Sequence, residues 1–145
     1  MSTRSPLPVY LHGRSVLLVF VGGALGTAVR ALLSAAAPTV AGIPVITFAI
    51  NIVGAFVLGW LLESLALRGP DEGRRRDARL FAGTGILGGF TTYSAFAVDI
   101  DGLVVASNVG GGILYAAATI AIGAAASLAG IPLGAAIGRR RGARA

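Results

Sequence analysis

Long apolar runs separated by short polar intervals dominate the chain. A hydrocarbon core about 30 Å thick is crossed by about 20 residues of helix rising about 1.5 Å each. Four nearly uncharged runs approach or exceed that length. The first extends from Ser15 to about Ala37 with Arg30 as its only charge, and the second from Ile43 to Leu67 with only Glu63, close to its end. Pro38 and the Gly42-Ile43-Pro44 turn leave a very short connection between them. The third covers about Leu80 to Val98, and the fourth falls within the 37 uncharged residues from Gly102 to Gly138. That stretch exceeds what one crossing needs, so part of it is expected to be loop, interface or tilted helix. The portion from Asp101 to Gly112, with Ser107-Asn108 as a cap, is expected to start it. The pattern predicts an all-α integral membrane protein with four transmembrane helices over residues 15–138, a cytoplasmic segment 1–14 and a basic cytoplasmic tail 139–145.

Composition strengthens this reading. The chain is 55% hydrophobic and 12% charged, with a mean hydropathy of +0.82, too apolar for an average soluble domain. All 12 basic residues are arginine, and the net charge is +6. Basic clusters flanking apolar runs orient a membrane protein, and no soluble basic domain remains to bind nucleic acid. Arg4 and Arg14 precede helix one, five arginines lie between helices two and three, and four follow helix four. The opposite side has at most Arg30, which predicts both termini in the cytoplasm. Arg4, Arg14 and Ala35-Ala36-Ala37 resemble a signal peptide and its cleavage site, but Arg30 interrupts the run, so a retained first helix is expected. The chain has no cysteine, which excludes disulfides and thiolate metal sites, and its single histidine, His12, lies outside the apolar runs.

Several polar or glycine-rich positions sit at bilayer depth. Gly22-Gly23-Ala24-Leu25-Gly26 in helix one permits close helix approach, and Arg30 follows one turn later, where snorkelling to the headgroups is the simplest role. Asn51 shares a helix-two face with Gly54, Leu58 and Gly59 and needs a hydrogen-bond partner, either as glue between helices or as a neutral donor to an anion. In helix three, the run from Gly83 through Gly88-Gly89-Phe90-Thr91-Thr92-Tyr93-Ser94 to Phe96 combines glycines, threonines and aromatics. Glycines there permit the helix to break, and a break frees carbonyls that protein, water or an ion must satisfy. Paired breaks from two subunits would form an oxygen cage for a hard monovalent cation, while a plain packing face is the alternative. Tyr115, Thr119, Gly123 and Ser127 recur every fourth residue, as a hydroxyl track or a packing seam.

Taken together, Gly22-Gly23-xx-Gly26-xxx-Arg30, Asn51-xx-Gly54 and Gly88-Gly89-Phe90-Thr91-Thr92-Tyr93-Ser94-xx-Phe96 resemble the CrcB/Fluc family of fluoride channels. The resemblance covers all four helices. It implies an antiparallel dimer with two narrow pores, helix three broken near its middle, and a central structural Na+ held by backbone carbonyls, here those of Gly88 and Thr91. It also implies a fluoride path along Asn51, the ring edges of Tyr93 and Phe96, and the polar track of Tyr115 and Thr119. Gly123 stands where a hydroxyl often occurs, Tyr93 where phenylalanine is usual, Ala95 where threonine is common and Asp99 where glutamate often follows. Loss of the Ala95 hydroxyl makes Ser94 the better remaining helix-three donor.

The expected activity is passive, fluoride-selective export from the cytoplasm across a bacterial inner membrane. Proton coupling needs a titratable group at depth, whereas Glu63 lies near a helix end and helix three has no carboxylate before Asp99. A small four-helix multidrug exporter resembles the chain in size but relies on a helix-one glutamate that is missing here. A non-transporting assembly subunit would leave the Thr91-Thr92-Tyr93-Ser94 cluster without a reason, and no nucleophile, base and metal constellation suggests an enzyme. The one-sided arginines predict insertion in a single orientation, which makes an oppositely oriented paralogue the expected partner, with a homodimer as the alternative.

Overall fold

The computed structural model describes residues 12–36 and 43–142. Arg4, Ala37, Pro38, Gly42 and Arg144, which entered the orientation, cleavage-site and turn expectations, lie outside the described residues. Helix α1 spans Gly13–Ala36 and α2 spans Val45–Ala66, 24 and 22 residues respectively, or about 36 and 33 Å at the α-helical rise. A third helical segment starts as α3 (Gly73–Ala78), continues as a π-helical stretch over Arg79–Leu87 and ends in the short turn α4 (Gly88–Phe90). Helix α5 (Tyr93–Val105) follows, then α6 (Val109–Gly142). Three helices, α1, α2 and the part of α6 over Val109–Ile137, are long and apolar enough to cross a membrane.

Two boundaries differ from the sequence expectation. Helix α5 continues past Val98 to Val105, carrying Asp99 and Asp101 within it, because charges near a helix end can reach polar surroundings and need not stop the helix. A turn then resets the chain: Ser107 adopts a left-handed φ of 62°, and Asn108 Oδ1 accepts the Gly111 N–H at 2.9 Å, capping α6. Helix α6 runs for 34 residues with Pro132 inside it, about 51 Å of helix, so most of the long uncharged stretch is one continuous element.

Glycine-mediated contact organises the packing. A methyl placed on Gly22 would collide with the Phe81 carbonyl, one on Gly26 with the Ile86 carbonyl, and one on Gly89 with the Gly23 carbonyl. The third segment therefore lies backbone against backbone along α1, in the same direction. Helices α2 and α6 are joined in the same way: Gly59 meets the Ser127 carbonyl, Gly130 the Phe56 carbonyl, and Gly134 the Trp60 carbonyl. Ser64 Oγ also donates to the Gly134 carbonyl at 3.4 Å. These contacts bring the starts of α1 and α3 and the ends of α2 and α6 to one end of the molecule. Arg14 there pairs with Asp77 at 2.6 Å, and Arg79 donates to Asp71 at 2.7 Å, a hydrogen bond that holds the Asp71 carboxyl below the usual carboxylate range.

Few side chains are fully enclosed. Ile50, Leu87, Leu103 and Tyr115 are buried, whereas Phe20 and Leu32 on α1 are each 72% exposed. A chain that turns its large apolar side chains outward needs lipid or another apolar surface around it.

Candidate functional site

The polar residues of the third segment meet α2 at the interruption between α4 and α5. Thr91 has an extended ψ of 155° and Thr92 an extended φ, ψ of −146°, 126°, so the helix stops for two residues at the threonines. Gly88 and Gly89 remain helical. Glycine permissiveness is thus used for the approach to α1, and the threonine pair makes the interruption.

Backbone pairing around the interruption is carried by side chains. Asn51 Oδ1 accepts the Thr92 N–H at 2.8 Å, and Asn51 Nδ2 donates to the Thr92 carbonyl at 3.0 Å. In a continuous α-helix that N–H would point to the Gly88 carbonyl. The Gly89 carbonyl accepts Arg30 Nε at 3.1 Å and Thr27 Oγ1 at 3.4 Å. Arg30 therefore does more than reach toward headgroups: it binds the main chain one turn before the interruption. Thr92 Oγ1 accepts the Ala95 N–H at 3.2 Å and caps α5.

Beside this junction lies an open, largely apolar cavity of about 600 Å³, lined on its polar side by Asn51, Thr84, Gly88, Thr91, Thr92 and Thr119. Tyr93 and Phe96 form part of its wall, and Tyr93 is 81% exposed. Their ring centroids are 6.1 Å apart, and Phe96 lies 5.8 Å from Tyr115. Ser94 is exposed beside them, its hydroxyl 3.3 Å from Thr92 Oγ1. Of the residues expected on an ion path, Asn51, Tyr93, Phe96 and Thr119 converge on this cavity. Tyr115 instead lines an adjoining apolar cavity of about 350 Å³ between the starts of α2 and α6.

Not every hydroxyl is free to donate. Thr91 Oγ1 donates to the Leu87 carbonyl at 2.9 Å, and Thr119 Oγ1 to the Tyr115 carbonyl at 2.7 Å. Tyr115 Oη lies 3.4 Å from the Pro44 carbonyl and 3.3 Å from Asp99 Oδ2. The α6 track is therefore hydrogen-bonded within the protein, and farther along it Ser127 packs on Gly59 as a seam. At the interruption itself, the proton donors left toward the cavity include the second Asn51 amide hydrogen and one hydroxyl of the Thr92–Ser94 pair, beside the electropositive ring edges. Thr84 also lines this cavity and was not singled out in the sequence. Its position four residues before Gly88, on the same helical face, is the signal that could have found it.

Gly88 and Thr91 border the same cavity. Gly88 is exposed, and a methyl there would meet no atom within 4 Å. Among the described residues no three acidic, histidine or cysteine side chains converge.

The family model for CrcB-like proteins, described as camphor resistance (CrcB), matches residues 17–131. A protein of Leifsonia xyli subsp. xyli named fluoride-specific ion channel FluC 2 is 86% identical over 145 residues, covering 100% of both chains. Fluoride-specific ion channel FluC 1 of Cutibacterium acnes is 51% identical over 118 residues, 79% of this chain and 82% of that one. Fluoride-specific ion channel FluC of Agrobacterium fabrum is 38% identical over 122 residues, 83% of this chain and 95% of its relative.

Proposed function

The chain belongs to the CrcB family, and on that premise we propose that it is a fluoride-specific channel that lets fluoride leave the cytoplasm passively. The observation that carries this reading is the full-length similarity to a protein named a fluoride-specific ion channel. The site is chemically suited to the task. Fluoride holds its water strongly, so a pore must replace that water with donors while binding weakly enough at each point for release. One amide hydrogen of Asn51, a hydroxyl proton of the Thr92–Ser94 pair and the edges of Tyr93 and Phe96 are neutral donors of that kind. Thr119 and Tyr115 stiffen the α6 side.

In this reading the segment from α3 through α5 is the fourth crossing, interrupted at Thr91 and Thr92, and the basic end faces the cytoplasm of a bacterial inner membrane. Two subunits assemble antiparallel so that each completes the other's open cavity. The diversion of the Thr92 N–H to Asn51 and the extended Thr91 backbone support assigning the Gly88 and Thr91 carbonyls to a structural Na+. Such an ion would lower the electrostatic cost of an anion nearby. Asn51 and Arg30 hold the surrounding main chain in the shape required.

The test is fluoride efflux from liposomes containing this chain, alone and with an oppositely oriented paralogue, with chloride as the control ion. Fluoride efflux without a proton gradient is expected, with chloride retained. Efflux only under an imposed proton gradient would reject passive conduction, and silence in both preparations would reject the channel.

A further inference from the structure

Thr84 lies within the π-helical stretch Arg79–Leu87, one turn from Gly88 toward the basic end, and its exposed side chain borders the 600 Å³ cavity. Threonines inside helices ordinarily return their hydroxyl proton to the carbonyl three or four residues back. Thr91 and Thr119 do so. The Thr84 hydroxyl makes no hydrogen bond among the described residues, although its backbone lies within the helical ladder. A π-helix pairs each N–H with the carbonyl five residues back instead of four, and such bulges recur at functional sites. The result is a hydroxyl with an uncommitted proton at the cavity wall, in surroundings where an unpaired polar group is costly.

We infer that the Thr84 hydroxyl is an anion ligand, a stepping site for fluoride between the basic end near Arg79 and the Asn51–Thr92 junction. This rests on the fluoride-channel reading above. The spacing supports it: Thr84 is five residues beyond Arg79 and seven before Thr91, so it fills the interval between the arginine cluster and the donors at the interruption. A small anion leaving the headgroup region needs successive weak donors along that interval, because one strong site would retain it. Within it, Gly83 and Gly85 have no side chain, and Leu80, Ile86 and Leu87 are apolar.

Thr84→Ser and Thr84→Ala both remove the methyl group and differ only in the hydroxyl. In liposomes holding the assembled channel, the serine variant is expected to release fluoride about tenfold faster than the alanine variant, the effect of one hydrogen bond to a charged group. Thr84→Val, which keeps the branched shape, is expected to be slow like alanine, and size-exclusion elution shows whether each variant assembles. Equal rates for serine and alanine, or fast efflux through the valine variant, would overturn the assignment while leaving the fluoride channel intact. Absence of fluoride efflux from the unmodified protein would instead overturn the channel reading, and this site with it.

Discussion

Asn51 bears two duties that pull toward the same geometry. Its carboxamide replaces the helical pairing that Thr92 loses at the interruption, and only one of its two amide hydrogens is consumed in doing so. Asn51→Leu would leave the Thr92 N–H and carbonyl unpaired at about 1–3 kcal/mol each. Fluoride efflux from liposomes is expected to fall at least about tenfold, with a lower melting temperature in detergent. Asn51→Asp separates the duties: a carboxylate still accepts from the Thr92 N–H but loses the donor and repels an anion, so efflux should fall with a smaller loss of stability. Thr119→Val is expected to slow efflux by less than about threefold, because its proton already belongs to the Tyr115 carbonyl. Sequence identified Asn51, Thr119 and the aromatic pair as polar or special groups in apolar runs. It did not reveal where each proton goes, since that depends on which carbonyl comes within reach after folding. Thr84 carries a positional signal four residues before Gly88, but its distinction, a hydroxyl without a back-bond inside the π-helical stretch, arises only on folding.

Lipid-facing helices are the elements most legible in sequence, because their outer surface needs only apolar residues and sufficient length. Helices α1 and α2 follow their apolar runs to within about two residues at each end, a normal uncertainty of helix boundaries. The third segment was harder to read, since glycine clusters suit both a break and a close packing face. Backbone contacts decide between these uses: Gly22, Gly26, Gly85 and Gly89 sit where α1 and the third segment touch, whereas Gly88 faces open space. Gly26→Ala is expected to destabilise the protein by roughly 1–3 kcal/mol, because the collision is with backbone that cannot rotate away. Gly88→Ala should melt much closer to the unmodified protein if thermal unfolding in detergent is followed by the fluorescence of Trp60, the single tryptophan. Equal losses at the two positions would contradict the packing argument.

Charge is distributed over the whole molecule in one direction. Helix contacts gather Arg14, the arginines from Arg68 to Arg79 and Arg139 at one end, while the turn between α5 and α6 has Asp99 and Asp101 near it and, among the described residues, no arginine. A subunit that inserts both ways needs nearly balanced ends; this one should insert with its basic end inside. The absence of native cysteine makes that measurable, because Ser107→Cys places a single thiol on the exposed opposite end. A membrane-impermeant thiol reagent added to intact cells should label nearly all copies, whereas dual insertion would protect about half. Single orientation has a further consequence for assembly. Two copies pointing the same way cannot form an antiparallel pair, so the proposed antiparallel assembly would call for a second chain with reversed loop charges. Fluoride efflux is then expected only when that paralogue is present, and removing arginines between α2 and α3 should create some activity in the chain alone by allowing inverted copies. Conduction by the unmodified chain alone, at the rate of the pair, would show instead that its two orientations coexist despite the charge asymmetry.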